Sequence, residues 1–244
     1  MSIPLSRIPA WCRVSLFLWW TLACAMPLHA ARKARAIFIQ PPDGSVEKAI
    51  LFTGTTGIEI ELPQRNFSRE VSLPDGELTL AVLTQVPTKD GPVPPLAPVI
   101  KIPASWSRCL ILLFPDSNNK VFPAHAVPFN ASMDQFPVGH TMVFNVSRAT
   151  AMVKLGKEEV RVKPGQSASV KPPLEKFGDY LVTIDCAFAG DKEATPLCRS
   201  TWRHDPQSRQ ILLITPEDGG KVPRVWGIQD RPEPDDKNKR TTQN

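Results

Sequence analysis

Few residues in this 244-residue chain have the types and spacing that chemistry requires. Histidines occur at positions 29, 125, 140 and 204, and none has a second His or Cys at a metal-ligand spacing, so no zinc site is expected. His204-Asp205-Pro206 reads as a turn, because Asp followed by Pro favours type I geometry. As half of a catalytic pair His204 would need a nucleophile, and the chain has no Gly-x-Ser-x-Gly elbow. Asp116-Ser117-Asn118-Asn119 offers oxygens to calcium but lacks the glycine and terminal glutamate of an EF-hand loop, and it reads as a loop tip. There is neither a phosphate-cradling glycine loop nor a dinucleotide fingerprint. The expectation is a protein that is not an enzyme and holds no cofactor or metal.

The cysteines carry the one specific site expectation. A strand over Tyr180–Phe188 would point Tyr180, Val182, Ile184, Cys186 and Phe188 inward. Pairing it with Leu197–His204 in a hairpin centred near Lys192 sets Cys186 opposite Cys198 and Val182 opposite Trp202. Opposite residues share a face at close range, so a Cys186–Cys198 disulfide is expected, with two small buried thiols as the alternative. Cys109 lies inside a fully apolar run and reads as an inert core thiol. Asn66, Asn130 and Asn145 each begin an Asn-x-Ser triplet, the acceptor pattern for glycosylation in a eukaryote.

Compartment follows from the first thirty residues. Arg7 and Arg13 are followed by the apolar run Val14–Met26, then by the small-residue exit Leu28-His29-Ala30, the order of a secretory signal peptide. The run is shorter than the ~20 residues a spanning helix needs, and Pro27 ends it. Cleavage is expected after Ala30, with Ala25 as second choice, giving a secreted or periplasmic protein. Membrane attachment would arise only through lipidation of Cys24 or retention of the leader. Oxidising conditions there are compatible with the disulfide.

Removing residues 1–30 takes away two arginines and no acid, so the net charge falls from +5 to +3 (27 basic against 24 acidic residues). The charges are scattered rather than gathered on a stripe, which excludes a nucleic-acid binder. The densest basic group, Arg32-Lys33-Arg35, reads as a solvated start to the mature chain. Three of six tryptophans leave with the leader, so Trp106, Trp202 and Trp226 remain beside one tyrosine.

The elements that would carry any site are strands. Twenty-six prolines punctuate the chain and rule out long helices. Strand-forming runs, with clear period-two alternation at Ile58–Leu62, Val71–Leu73 and Leu78–Val82, recur at Arg35–Ile39, Ala49–Thr53, Val99–Ile102, Cys109–Phe114 and His125–Phe129. They continue at Thr141–Val146, Ala151–Leu155, Glu159–Lys163, Ser167–Lys171, Asp179–Ala187, Leu197–Arg203, Gln210–Ile214 and Arg224–Ile228. Pro74-Asp75-Gly76 between two of these runs predicts a β-hairpin. Cys109–Phe114 is apolar on both faces, as in a central strand covered on each side. The fold class is all-β, with two tandem β-sandwich domains over 36–130 and 138–229. The Pro-rich stretch Pro87–Pro98 is then a surface loop of the first domain, and the polar tail 231–244 is expected to be disordered.

The second half carries a resemblance. Phe144-Asn145-Val146-Ser147, the strand Ala151–Leu155, Val162-Lys163-Pro164-Gly165 and Tyr180-Leu181-Val182 follow one another in a familiar order. Over residues 140–230 this resembles uncharacterised bacterial secreted proteins with immunoglobulin-like β-sandwich modules. The resemblance implies an exported bacterial β protein and transfers no site residue. The functional expectation is an exported, non-enzymatic protein with a binding, scaffolding or cell-envelope role and an unknown protein or envelope partner. The alternatives are a carbohydrate- or peptide-binding accessory protein with its site near Trp106 or Trp226, or a hydrolase assembled in space around His125 or His204.

Overall fold

The computed structural model describes residues 32–88, 92–217 and 222–232; the expected leader and the tail from 233 lie outside the described residues. The chain from Arg32 onward is one compact unit. Its first eight strands are β1 (Arg32–Phe38), β2 (Lys48–Phe52), β3 (Gly57–Glu61), β4 (Val71–Leu73), β5 (Leu78–Leu83), β6 (Val99–Ile102), β7 (Arg108–Pro115) and β8 (Ala124–Asn130). The next eight are β9 (Thr141–Asn145), β10 (Thr150–Leu155), β11 (Glu158–Val162), β12 (Ser167–Val170), β13 (Gly178–Ala187), β14 (Thr195–His204), β15 (Arg209–Thr215) and β16 (Arg224–Asp230). No helix occurs among the described residues. The alternating runs all became strands.

Each group of eight folds into a β-sandwich of two four-stranded sheets. The first has sheets of order β4-β1-β7-β8 and β3-β2-β5-β6; the second has β12-β9-β15-β16 and β11-β10-β13-β14. Adding eight to every label of the first sandwich yields the second. Even the one parallel pairing recurs, β1 with β7 and β9 with β15. The chain is therefore a structural duplication whose halves share connectivity and no recurrent residue motif.

The expected hairpin at Pro74-Asp75-Gly76 is corrected by this topology. β4 pairs only with β1, while β5 pairs with β2 and β6 in the opposite sheet. The turn is an arch between layers. Leu73 and Leu78 enter the same core from its two sides, and a turn of that length serves an arch as well as a hairpin. The Pro-rich segment between β5 and β6 brings Ala97 onto the outer face of β2 and β5, against Phe52 and Leu83.

Why Cys109–Phe114 is apolar on both faces is now evident. Cys109, Ile111 and Leu113 point into the core of the first sandwich. Leu110, Leu112 and Phe114 point the other way, into a second apolar layer shared with Ile211, Leu213 and Met142 of the second sandwich. β15 mirrors this, with Leu212 and Ile214 in its own core and Ile211 and Leu213 in the shared layer. Phe129 joins the two edge-to-face with Phe136 and Phe144, at centroid distances of 5.6 and 5.0 Å. The molecule is four sheets deep, with its two inner sheets packed together.

One end of that seam is ionic. Asp230 closes β16 with its side chain fully buried and receives Arg209 through Nε (2.8 Å) and Nη2, and Arg35 of β1 through Nη1 (2.5 Å). Arg209, only 2 % exposed, also donates to the carbonyls of Ala131 and Phe136, each at 2.7 Å, and lies 4.7 Å over the Phe136 ring. Burial pulls the Arg209 pKa down and Asp230 opposes it. A guanidinium remains charged in proteins, so the carboxylate has to be there.

This overturns the reading of Arg32-Lys33-Arg35 as a solvated start. All three lie in β1, an interior strand of its sheet. Arg32 is buried and donates to the backbone carbonyls of Trp106 (2.9 Å), Pro103 (2.7 Å), Pro74 and Gly76. The basic residues tie the start of the sandwich to its loops. Replacing Asp230→Ala would leave Arg209 buried without a counter-charge and should cost about 3–5 kcal/mol in a urea titration. Loss of less than about 1 kcal/mol would show that the cluster does not hold the seam.

Candidate functional site

Of the three histidines expected to survive leader removal, only His204 reaches the largest cavity. His140 Nδ1 is hydrogen-bonded to Ser169 Oγ at 3.3 Å. His125 stacks on Phe114 (5.2 Å, 18°) at a cleft of about 390 Å³ between the sandwiches, beside the Arg224–Glu217 ion pair. Among the described residues no three His, Cys, Asp or Glu gather as a metal site would require. The oxygens of Asp116 and Asn119 are spent on their own loop, accepting the N–H groups of Asn118, Val121 and Phe122.

Asn145, the residue at the centre of the resemblance, is buried and structural. Its Nδ2 donates to the carbonyls of Ala149 (2.7 Å) and Val162 (2.9 Å), and its Oδ1 accepts from Ser147. Its backbone carbonyl also accepts the Gly165 N–H, so this side chain and backbone clamp the Val162-Lys163-Pro164-Gly165 turn. With both amide protons committed, Asn145 is closed to glycosylation in the folded chain.

The β13–β14 hairpin forms, but in a different register from the expected one. Cys198 lies opposite Ile184, Trp202 opposite Tyr180 and Cys186 opposite Thr195, with a bulge between Ile184 and Asp185. From Gly178 to Ile184 the pairing is centred one residue away from the expected position and each cross-strand partner moves by two; past the bulge the partner of Cys186 moves by three, from the expected Cys198 to Thr195. Cys198 therefore lies three residues along β14 from Thr195, the partner of Cys186, with the bulge between them, and the two cysteines are not opposite one another as a cross-strand disulfide requires. Both are free, as is Cys109.

The largest cavity, about 560 Å³, opens at one end of the second sandwich between the edge strands β14 and β16. Its two walls differ in chemistry. The outer sheet supplies Tyr180 of β13 and Trp202 and His204 of β14, with Phe177 just before β13. The inner sheet supplies Thr141 of β9, Gln210 of β15 and Gln229 of β16. The turn after β14 adds Asp205 and Ser208. Alternation along β16 explains the placement: Gly227, Gln229 and Arg231 face the cavity, while Ile228 and Asp230 face the seam. Gly227 keeps the space open, since a Cβ there would come within 3.3 Å of Gln210 Nε2 and 3.8 Å of Trp202.

Several polar groups in this cavity are left over by the fold. The Tyr180 hydroxyl donates to Gln210 Oε1 at 3.4 Å, and burial pushes its pKa up to about 12, so it keeps its proton. That orients Gln210 with Nε2 free of partners among the described residues. Gln229 Nε2 donates to Ser208 Oγ at 3.0 Å, which leaves its Oε1 as an open acceptor. His204 is buried with Nε2 unpartnered. Burial pulls its pKa below the usual imidazole value against the pull of Asp205, and the ring is neutral near pH 7. The charged groups are already matched. Arg203 pairs with Asp179 (3.1 Å) and Arg231 with Asp205 (2.7 Å). Burial pushes the Asp205 carboxyl up, but the Gln207 N–H and Arg231 outweigh it and hold its pKa below the ordinary value.

Trp106 packs against the first core and Trp226 shares the Ile228 face, away from this cavity. The tryptophan that matters is Trp202. Two signals in the sequence could have found it: the lone Gly227 inside a strand-forming run, and the alternation that puts Trp202 and His204 on one face. No protein-family model matches the chain, and no curated protein matches it in sequence.

The cysteine geometry has a direct readout. Burial raises the pKa of Cys109 to about 12 and raises those of Cys186 and Cys198, while Cys198 alone is partly exposed. Alkylation of the native protein should label Cys198 first, and unfolding without reductant should release three reactive thiols. A mass two hydrogens lighter, with one thiol left, would show that the hairpin shifts to bring Cys186 and Cys198 together.

Proposed function

We propose that this chain is an exported, non-catalytic binding protein that takes its ligand in the cavity between β14 and β16. The observation that carries this reading is the set of hydrogen-bonding groups the fold leaves open at the largest concavity: Gln210 Nε2, Gln229 Oε1 and His204 Nε2. His204 Nε2 is buried without a partner, which is uncommon, and the half-buried Gln210 and exposed Gln229 keep their open atoms at the surface of a concavity that a ligand could fill.

Binding is favoured over hydrolysis by the state of the neighbouring groups. A hydrolase would need a histidine joined to a nucleophile and a carboxylate. Here Ser208 Oγ donates to the Asp205 carbonyl and accepts from Gln229, and the Asp205 carboxylate is engaged by Arg231 and the Gln207 N–H. Export rests on the leader-like first thirty residues.

Two measurements test the reading. The mature protein from its source should lie outside the cytoplasm and begin at Ala31 by mass; an intact Met1 on cytoplasmic material would refute export. A chemically broad small-molecule panel should contain compounds that raise the melting temperature of the native protein and leave Gly227→Val unaffected. That variant adds bulk to the cavity without removing any polar group. Ligands that stabilise both proteins equally would place binding elsewhere.

A further inference from the structure

The cavity walls specify a ligand class. Resting on the binding role above, we propose that the site takes a neutral saccharide, a pyranose ring at the end of a glycan, seated at the mouth of the cavity against the aromatic side chains of the outer sheet, with its hydroxyls toward the amides of the inner sheet.

A pyranose presents a C–H face that packs on an aromatic ring and a rim of hydroxyls that each donate and accept. Phe177, 63 % exposed, and Trp202 supply the aromatic side, while buried Tyr180 closes the floor through its bond to Gln210. The facing wall offers one open donor pair at Gln210 Nε2 and one open acceptor at Gln229 Oε1, a match to adjacent hydroxyls. The volume of about 560 Å³ lies within the range of small-molecule sites and has room for a short oligosaccharide end.

Other ligand classes fit less well. An anion would need a cation free to meet it, and both arginines at the rim are paired, Arg203 with Asp179 and Arg231 with Asp205. A wholly apolar ligand would cover the two amides without giving either a partner, beside His204 Nε2, which already lacks one. A peptide added along β14 would meet Pro196 and the Arg199–Asp185 pair, the guards that edge strands carry against such additions.

The test uses the mature chain against neutral mono- to tetrasaccharides of gluco, galacto, manno and N-acetylhexosamine type, with sugar phosphates and di- and tripeptides as comparators. Calorimetry reads affinity, and saturation-transfer NMR reads which ligand protons touch the protein. At least one neutral saccharide should bind with saturation strongest on its ring C–H protons. Gln229→Ala should weaken it at least tenfold, and Gly227→Val should abolish it with the melting temperature held. A panel in which no neutral saccharide binds overturns the assignment, as does saccharide binding that both variants leave unchanged. If only peptides or sugar phosphates bind, and Gly227→Val abolishes that, the ligand class is wrong and the binding site stands. If every compound is silent on the native protein, the assignment falls, and the binding role falls with it when the broad panel is silent too.

Discussion

Asp230 is a carboxylate sealed from the surface, and the two guanidiniums that neutralise it come from different sandwiches. Such a cluster is weak as a source of net stability, because desolvating three charges offsets most of their attraction. Its effect is on register. Arg35 can reach Asp230 only when β1 of the first sandwich lies against the end of β16 in the second, and Arg209 can reach Ala131 and Phe136 only when the connecting segment folds back into the seam. Any sliding of one inner sheet over the other would strand a charge in an apolar layer. The aromatic and aliphatic contacts of that layer supply attraction, and the ionic end selects one arrangement.

The candidate site depends on this arrangement through two strands. β15 and β16 present one set of alternate residues to the seam and the other to the cavity. Arg209 and Asp230 are immediate chain neighbours of Gln210 and Gln229, with the same cross-strand partnering in both pairs. The amide wall is thus the reverse side of the clamp. A side chain in a strand is positioned by its backbone, and this backbone is held from behind by charge pairing and from the sides by the β9–β15 and β15–β16 ladders. Rigid support of this kind lets a site keep polar groups poised without local partners.

Much of the fold was legible because the period-two signal is local. Ile58-Glu59-Ile60 or Ala151-Met152-Val153 declares a strand with one buried face without reference to anything distant. Partner choice is not local. Pro74-Asp75-Gly76 turns the chain in the same way for a hairpin or an arch, and what decides is that β1 is available to pair with β4. A one-residue shift in the centre of the β13–β14 pairing was enough to move Cys198 from Cys186 to Ile184. Arg32 and Arg35 looked like surface charges because nothing near them in sequence hints at the carbonyls and carboxylate that receive them. The duplication stayed hidden since it repeats an order of strands rather than of residues. The cavity was missed for the same reason, as Tyr180, Trp202, Gln210 and Gln229 meet only once both sheets of the second sandwich are assembled.

The central claim is that the two sandwiches share one seam and behave as one cooperative body. Trp106 reports on the first, and Trp202 and Trp226 report on the second. Urea unfolding followed in a Trp106→Phe variant and in a Trp202→Phe/Trp226→Phe variant, each normalised to its own stability by far-ultraviolet dichroism, isolates the two signals. A single shared body predicts that fluorescence and dichroism superimpose in both variants, with one transition each. Two separated transitions, with one sandwich keeping its native fluorescence after the other has unfolded, would contradict it.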